Sequence, residues 1–251
     1  MKKHVLIVLF LGISQIIFPQ TTTQETENTK SNNWDFDIIP YVNFVSLDGS
    51  MTAMGQDIPF EMSFSDLFSQ LSFAFSLHTE ARNDRWGIMF DFLYIKLNEE
   101  GEIPDLMAVI ETEIKQTLIE IGGAYQLNNP SGTNSRFDAL LGLRYMDMSV
   151  NLASMDMSIL DKGFNFTDPY VGFRWQNRWN KWALTSRFDI GGFGIGSEFS
   201  YKFNVLGGYN FSDLFSLYLG YQGLDIDYEQ DNGFAYDVYT GGPILGFRFA
   251  L

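Results

Sequence analysis

The run Ser76-Leu77-His78-Thr79-Glu80 sets a hydroxyl, an imidazole and a carboxylate at alternate positions. Those three groups together are what nucleophilic hydrolysis requires. Apart from His4, His78 is the only histidine in the chain. On an extended strand, however, side chains two apart share a face at a separation of about 6.5–7 Å. That is too far for a nucleophile–base hydrogen bond unless the strand bends. No enzyme is expected from Ser76, His78 and Glu80, and a lipid-modifying hydrolase is kept as an alternative. Asp225-Ile226-Asp227-Tyr228-Glu229-Gln230-Asp231-Asn232-Gly233 offers oxygen ligands at alternate positions, and Glu99, Glu100 and Glu102 form a second acidic segment. Neither has the spacing of an EF-hand loop, so solvated acidic loops are expected. Binding of divalent cations by these carboxylates is the functional alternative. Met146-Asp147-Met148-Ser149 recurs as Met155-Asp156-Met157-Ser158. Paired thioethers suit Cu(I), but two strands of a protruding hairpin with flexible apolar side chains explain the repeat more simply.

The sequence holds no phosphate loop, dinucleotide fingerprint or histidine cluster, so no cofactor and no metal is expected. It has no Cys, which excludes disulfides, thiolate sites and a lipoprotein anchor. Lys plus Arg number 16 against 31 Asp plus Glu, a formal charge of −15. So acidic a surface repels phosphate backbones, and nucleic acid is excluded as a partner. Aromatics reach 16%, yet mean hydropathy is only −0.06, which excludes a helical membrane protein. The chain opens with Met1-Lys2-Lys3-His4 and an apolar run from Val5 to Phe18. A short basic start before an apolar stretch too short to span a bilayer is a signal-peptide pattern. The expected organisation is a signal peptide over 1–20, a flexible polar lead-in over 21–33, and one domain over 34–251.

From Trp34 onward the recurring signal is period-two alternation. In Phe199-Ser200-Tyr201-Lys202-Phe203-Asn204-Val205 the odd positions are apolar and the even ones polar. Trp86, Ile88, Phe90, Phe92 and Tyr94 share one face, as do Leu245, Phe247, Phe249 and Leu251. Such a face is either the inside of a soluble sandwich or barrel or the lipid side of a membrane barrel. The apolar face is aromatic at strand ends, and the polar face mixes Gly with charges of both signs. These features favour the membrane. The expected fold is all-β, a transmembrane antiparallel up-and-down barrel of about ten strands, within about eight to twelve. The strands fall near 34–45, 72–82, 86–97, 112–127, 136–150, 164–177, 181–192, 198–210, 214–228 and 235–251. The longer connections are 46–71, 98–111, 151–163 and 229–234. Ser63 to Leu71 reads as a short helix in the first long loop, capped by Ser63 or Ser65. All five tryptophans, Trp34, Trp86, Trp175, Trp179 and Trp182, fall beside the short-turn end, as a periplasmic interface belt would.

Inward positions include Asp35, Asp37, Glu80, Asp91, Glu120, Asp138, Asp168 and Asp189, opposed by Arg82, Arg144, Arg174, Arg187, Lys202 and Arg248. Gly-x-Arg recurs at Gly142/Arg144, Gly172/Arg174 and Gly246/Arg248, leaving room beside each guanidinium. Near-balanced charge in a small barrel predicts a salt-bridged, largely filled interior. A selectivity filter is the alternative.

Thr240, Gly242, Leu245 and Phe247, followed by Phe249, resemble the C-terminal assembly signal of bacterial outer-membrane proteins, although the chain ends on Leu251. Further pieces are similar to a widespread group of outer-membrane barrels of about this length. They are Trp34 with Pro40-Tyr41, Ser63-Phe64-Ser65-Asp66-Leu67, Arg85-Trp86-Gly87 with Asp91 and Tyr94, and Asp168-Pro169-Tyr170-Val171-Gly172-Phe173-Arg174. The resemblance implies a fold, the outer membrane of a Gram-negative bacterium, and no activity. It also implies outer-membrane lipid, lipopolysaccharide and the barrel-assembly machinery as partners. A monomer with a structural or ligand-binding role at the envelope is expected, with a narrow pore or small-solute transporter as alternative.

Overall fold

The computed structural model describes residues 34–53, 56–103, 108–128, 134–154, 157–231 and 233–251. The expected signal peptide and lead-in, and Met155 with Asp156, lie outside the described residues. The strands are β1 (Asp35–Asn43), β2 (Ser46–Ala53), β3 (Gln56–Met62), β4 (Leu71–Asn83), β5 (Trp86–Ile103), β6 (Ala108–Gln126), β7 (Ser135–Ser154), β8 (Met157–Trp179), β9 (Trp182–Gly192), β10 (Phe199–Asn210), β11 (Phe215–Glu229) and β12 (Ala235–Ala250), with one helix, α1 (Phe64–Gln70). Ten of them, β1 and β4 to β12, close into an antiparallel barrel through the β1–β12 pairing. At the seam, the Leu251 amide donates to the Phe36 carbonyl at 2.8 Å.

The barrel has the expected strand number, and the connections differ from expectation in two places. Segment 46–71 is not one loop: β2 pairs with β12 from Ser46↔Gly241 to Thr52↔Ala235, and β3 pairs with β2. Strands β5 to β8 run on through most of 98–111 and 151–163, segments expected as loops. Two opposite ends result. At one, Asn83↔Trp86 and Trp179↔Trp182 close two-residue turns in which Asp84 (φ 52°) and Asn180 (φ 53°) adopt left-handed backbone. Asp and Asn are among the few side chains that tolerate it. At the other end stand long hairpins and α1. Ser63 caps α1 in a reciprocal capping box with Asp66.

The alternation reverses its sense part-way along the strands. On β11, Phe215, Leu217, Leu219 and Tyr221 point outward, but further along the same face carries Asp225, Asp227 and Glu229. The inward face runs from Ser216, Tyr218 and Gln222 to buried Leu224, Ile226 and Tyr228. On β7, exposed Phe137, Leu141 and Leu143 give way to Asp147 and Ser149, while inward Asp138 and Arg144 give way to buried Met146 and Met148. On β8, exposed Val171 and Phe173 give way to Thr167 and Asn165, and inward Arg174 and Asp168 to Phe166 and Phe164. A wall in lipid is apolar outside, whereas a wall in water must hide its apolar side chains inside. The reversal therefore marks where the barrel leaves the bilayer.

The half beyond the bilayer has an ordinary apolar core. Leu118, Met146, Met148, Phe164, Phe166, Leu224, Ile226, Tyr228, Tyr236 and Val238 form one buried cluster, against which Leu47, Met51 and Phe60 of the β2–β3 hairpin pack. The Phe164 ring lies 5.3 Å from Tyr228 and 5.2 Å from Tyr236. The salt-bridged interior expected from the sequence is confined to the half within the bilayer.

Candidate functional site

Inward-facing ionic side chains from β4 to β10 form a buried network in the bilayer half of the lumen. Nearer the short turns, Arg174 donates from Nη1 and Nη2 to Glu80 at 2.9 and 2.8 Å. It also donates from Nη2 to Asp138 at 2.7 Å. Arg82 holds the other side of Glu80 through Nε at 2.7 Å, and Arg136 holds Asp138 at the same distance. One layer further in, Glu120 accepts from Arg144 Nε at 2.8 Å, Arg187 Nη2 at 3.0 Å and Lys202 Nζ at 3.0 Å. Asp189 accepts from Arg144 Nη2 at 2.5 Å and Arg187 Nε at 2.7 Å. The forked guanidinium makes this possible, since one arginine can satisfy two carboxylates in a plane. Arg144 is wholly buried.

Tyr170 separates these guanidinium groups from the wall. The Arg144 and Arg187 guanidinium carbons stand 5.3 and 5.2 Å from its ring centroid, within range of cation–π attraction. The ring needs Gly122 and Gly142 on the adjoining strands: a Cβ on Gly142 would stand 2.5 Å from the Tyr170 Cζ and oxygen. The room that Gly142 leaves is thus taken by an aromatic ring rather than by the guanidinium of Arg144. At Gly172 a Cβ would meet Asp189 Cβ at 2.5 Å. That glycine permits a close strand approach.

The other expected lumen residues have different partners. Asp91 accepts from Tyr41 Oη at 2.6 Å and is bonded to His78 Nδ1 at 3.0 Å. Asp168 accepts from the Ser197 amide and hydroxyl, each at 2.7 Å, and from Ser200 Oγ at 2.9 Å. It anchors the 193–198 connection rather than pairing with an arginine. Arg248 pairs with Asp37 at 2.7 Å near the short-turn end, apart from the main network. Ser76, His78 and Glu80 do face one way, but each is engaged elsewhere: Ser76 Oγ donates to the Tyr41 carbonyl, His78 meets Asp91, and Glu80 meets the arginines. Among the described residues, no group of three or more His, Asp and Glu is arranged to hold a metal ion. Met146 and Met148 are core residues.

Sequence reasoning missed Tyr170, Tyr41, Arg136 and the serines that hold Asp168. Tyr170 had a signal: it shares the inward face of β8 with Asp168 and Arg174, and its register neighbour is Gly142. The tryptophans lie at the short-turn end, with Trp34, Trp86, Trp179 and Trp182 exposed and Trp175 Nε1 donating to Ser135 Oγ at 2.6 Å. Gly242, Leu245, Phe247 and Phe249 lie on β12, the closing strand.

A closed ten-strand antiparallel barrel, apolar outside over one half and ionic within it, has the architecture of the outer-membrane β-barrel proteins. The crystal structure of the outer membrane protease OmpT from Escherichia coli has it too, with a TM-score of 0.58 at 11% identity, covering 90% of this chain and 99% of that one. Ail, the attachment invasion locus protein of Yersinia pestis, solved with the heparin analogue sucrose octasulfate, gives 0.40 at 13% identity, covering 87% and 98%. At these values the first likeness speaks for fold alone, and the second carries no weight. No family model and no curated protein matches the chain by sequence.

Proposed function

We propose that this chain is a non-conducting barrel in the outer membrane of a Gram-negative bacterium, with a structural or ligand-binding role at the envelope. The observation that carries this reading is the bonding of opposite walls to each other. Glu80 on β4 meets Arg174 on β8, and Glu120 on β6 meets Lys202 on β10. Six carboxylates (Glu80, Asp91, Glu120, Asp138, Asp168, Asp189) face six cations (Arg82, Arg136, Arg144, Arg174, Arg187, Lys202) in or beside this network. The lumen is self-neutralising, and ions entering it would have to break pairs that burial makes costly to break.

In this reading the short turns and the tryptophan ring face the periplasm, and the apolar-cored half stands outside the cell. Lipid and lipopolysaccharide surround the belt, the assembly machinery reads Gly242, Leu245, Phe247 and Phe249, and the barrel works as a monomer. Liposome swelling tests the reading. Vesicles carrying the folded protein should shrink and recover in arabinose as slowly as empty ones; rapid recovery would favour the narrow pore.

A further inference from the structure

The barrel wall is not closed everywhere. β1 pairs with β4 only from Asp35↔Arg82 to Pro40↔Leu77. Beyond that point β1 turns at Phe44–Val45 into β2, which follows β12, and β3 pairs with β2 alone. The edge of β4 from Leu71 to Ser76 and the free edge of β3 are consequently left without strand partners. The first five residues of β4 are exposed on both faces, whereas Ser76 just below them is buried. Phe73 is 54% exposed and Phe75 46%. Phe75 is in register with Tyr94 and Phe73 with Lys96, so the gap opens where the outward face of β5 passes from apolar to charged. That is the acyl–headgroup boundary of the bilayer. Open sheet edges are not tolerated against lipid unless something covers them or they line a cavity.

Behind the gap is a cavity of about 160 Å³. No charged side chain lines it. Its apolar walls include Leu93, Leu97 and Leu118 from the far side, and α1 covers it with Leu67, the one buried residue of that helix. A cavity of about 150 Å³ is large enough to take up a benzene-sized molecule. Polar side chains also reach it, among them Ser76, Gln116, Gln222 and Thr240, and one of them is left over: Asn43 Oδ1 is buried with no hydrogen-bond partner. Such an acceptor is costly to leave unmade, and a ligand that brings a donor would satisfy it.

We propose that this cavity is a lateral binding site, entered from the outer leaflet between β4 and the β2–β3 hairpin. It takes an uncharged hydrocarbon segment carrying a hydroxyl or amide donor. α1 is its cover, and Asn43 fixes the polar end. The site deepens the ligand-binding part of the function proposed above and rests on it. An amide-linked acyl chain still attached to a membrane lipid and a free single-chain alcohol share the required chemistry.

Photolabelling of the full chain in phosphatidylcholine nanodiscs separates them. One arm uses dodecanol with a diazirine on the chain, the other sphingomyelin with a diazirine in its amide-linked acyl chain. Label on Leu67, Leu93 and Leu97, normalised to lipid-facing Leu141, is expected in at least one arm. Dodecanol alone would identify a free alcohol as the occupant, and sphingomyelin an inserted acyl chain. Ala74→Trp, which fills the mouth, should lower the normalised cavity label about tenfold, equivalent to about 1.4 kcal/mol. Leu97→Trp serves if that variant does not fold, as judged by heat-modifiable gel migration. Asn43→Leu should abolish any preference for dodecanol over the matching alkane probe. Label confined to lipid-facing residues in both arms, or unchanged in the folded Trp variant, would overturn the site. That result in a barrel that does not pass solute would remove the cavity and leave the closed barrel standing; cavity label in a conducting barrel would do the reverse.

Discussion

Lys202 Nζ donates to Glu120 Oε1 at 3.0 Å, although β7, β8 and β9 lie between their strands in the barrel. The bond therefore crosses the lumen, and Glu80 with Arg174 repeats the same four-strand reach one layer nearer the short turns. Each layer ties walls that no backbone ladder joins.

Removing Arg144 should be costly out of proportion to its size. Arg144→Met leaves Glu120 and Asp189 short of a shared, buried cation. A loss of about 3–5 kcal/mol is expected, read as a fall in the urea midpoint of the protein folded in detergent micelles. Adding Glu120→Gln should recover part of it. A shift below about 1 kcal/mol, the scale of an exposed pair, would show that water reaches the network.

The glycines under Tyr170 should be irreplaceable where others are not. Gly142→Val forces the ring out of its seat between the wall and the two guanidinium groups, at about 1–3 kcal/mol. Gly123, whose added Cβ would have nothing closer than the Gly87 carbonyl at 3.9 Å, should accept Ala with little change. Equal effects at the two positions in thermal melts would remove the packing explanation.

The reversal of the strand pattern predicts the bilayer boundary. Leu141, 65% exposed in the middle of the apolar belt, should lose about 2–4 kcal/mol on replacement by Arg. Asp147, three outward positions further along the same strand, should accept Arg at almost no cost. Folding yields into lipid vesicles over a urea series give both numbers.

Outside the bilayer, Asp227 faces Asp237 directly across β11 and β12. Partial burial, then Asp237 and Glu229, push the Asp227 carboxyl above its ordinary range. A raised carboxylate pKa means that ionisation weakens the folded state, so the penalty is present at neutral pH and disappears as pH falls through the raised value. Asp237→Asn should accordingly stabilise the fold at pH 7 by roughly the few tenths of a kcal/mol that opposed like charges cost, seen as a higher melting temperature. The gain should shrink toward pH 4. A gain that does not depend on pH would assign the effect to something other than charge.

Much of this was legible in the sequence because the side-chain period of a strand is two whatever surrounds it. Glu80, Glu120, Asp189, Arg144, Arg174 and Arg187 sit on the inward phase of their strands, and the alternation that placed them does not depend on knowing the partners. Partner choice was not legible. Arg144 and Asp168 are register neighbours, yet Asp168 is taken by Ser197 and Ser200, because that pairing depends on how the chain turns after Gly192. The β2–β3 hairpin was also hidden. Its Asp48-Gly49-Ser50 core reads as loop, and its strand state comes from pairing with the protruding edge of β12. The apolar core outside the bilayer was not legible either. Met146, Met148, Ile226 and Tyr228 continue an inward phase that is polar lower down, and only the position of the bilayer tells which side of a strand must be apolar.

Planar-bilayer recording tests the closed lumen most directly. The folded wild-type protein, reconstituted at low density in 1 M KCl, should give no current steps above the bare membrane. Stable, ohmic openings that recur with each insertion would contradict a lumen bridged by Glu80–Arg174 and Glu120–Lys202.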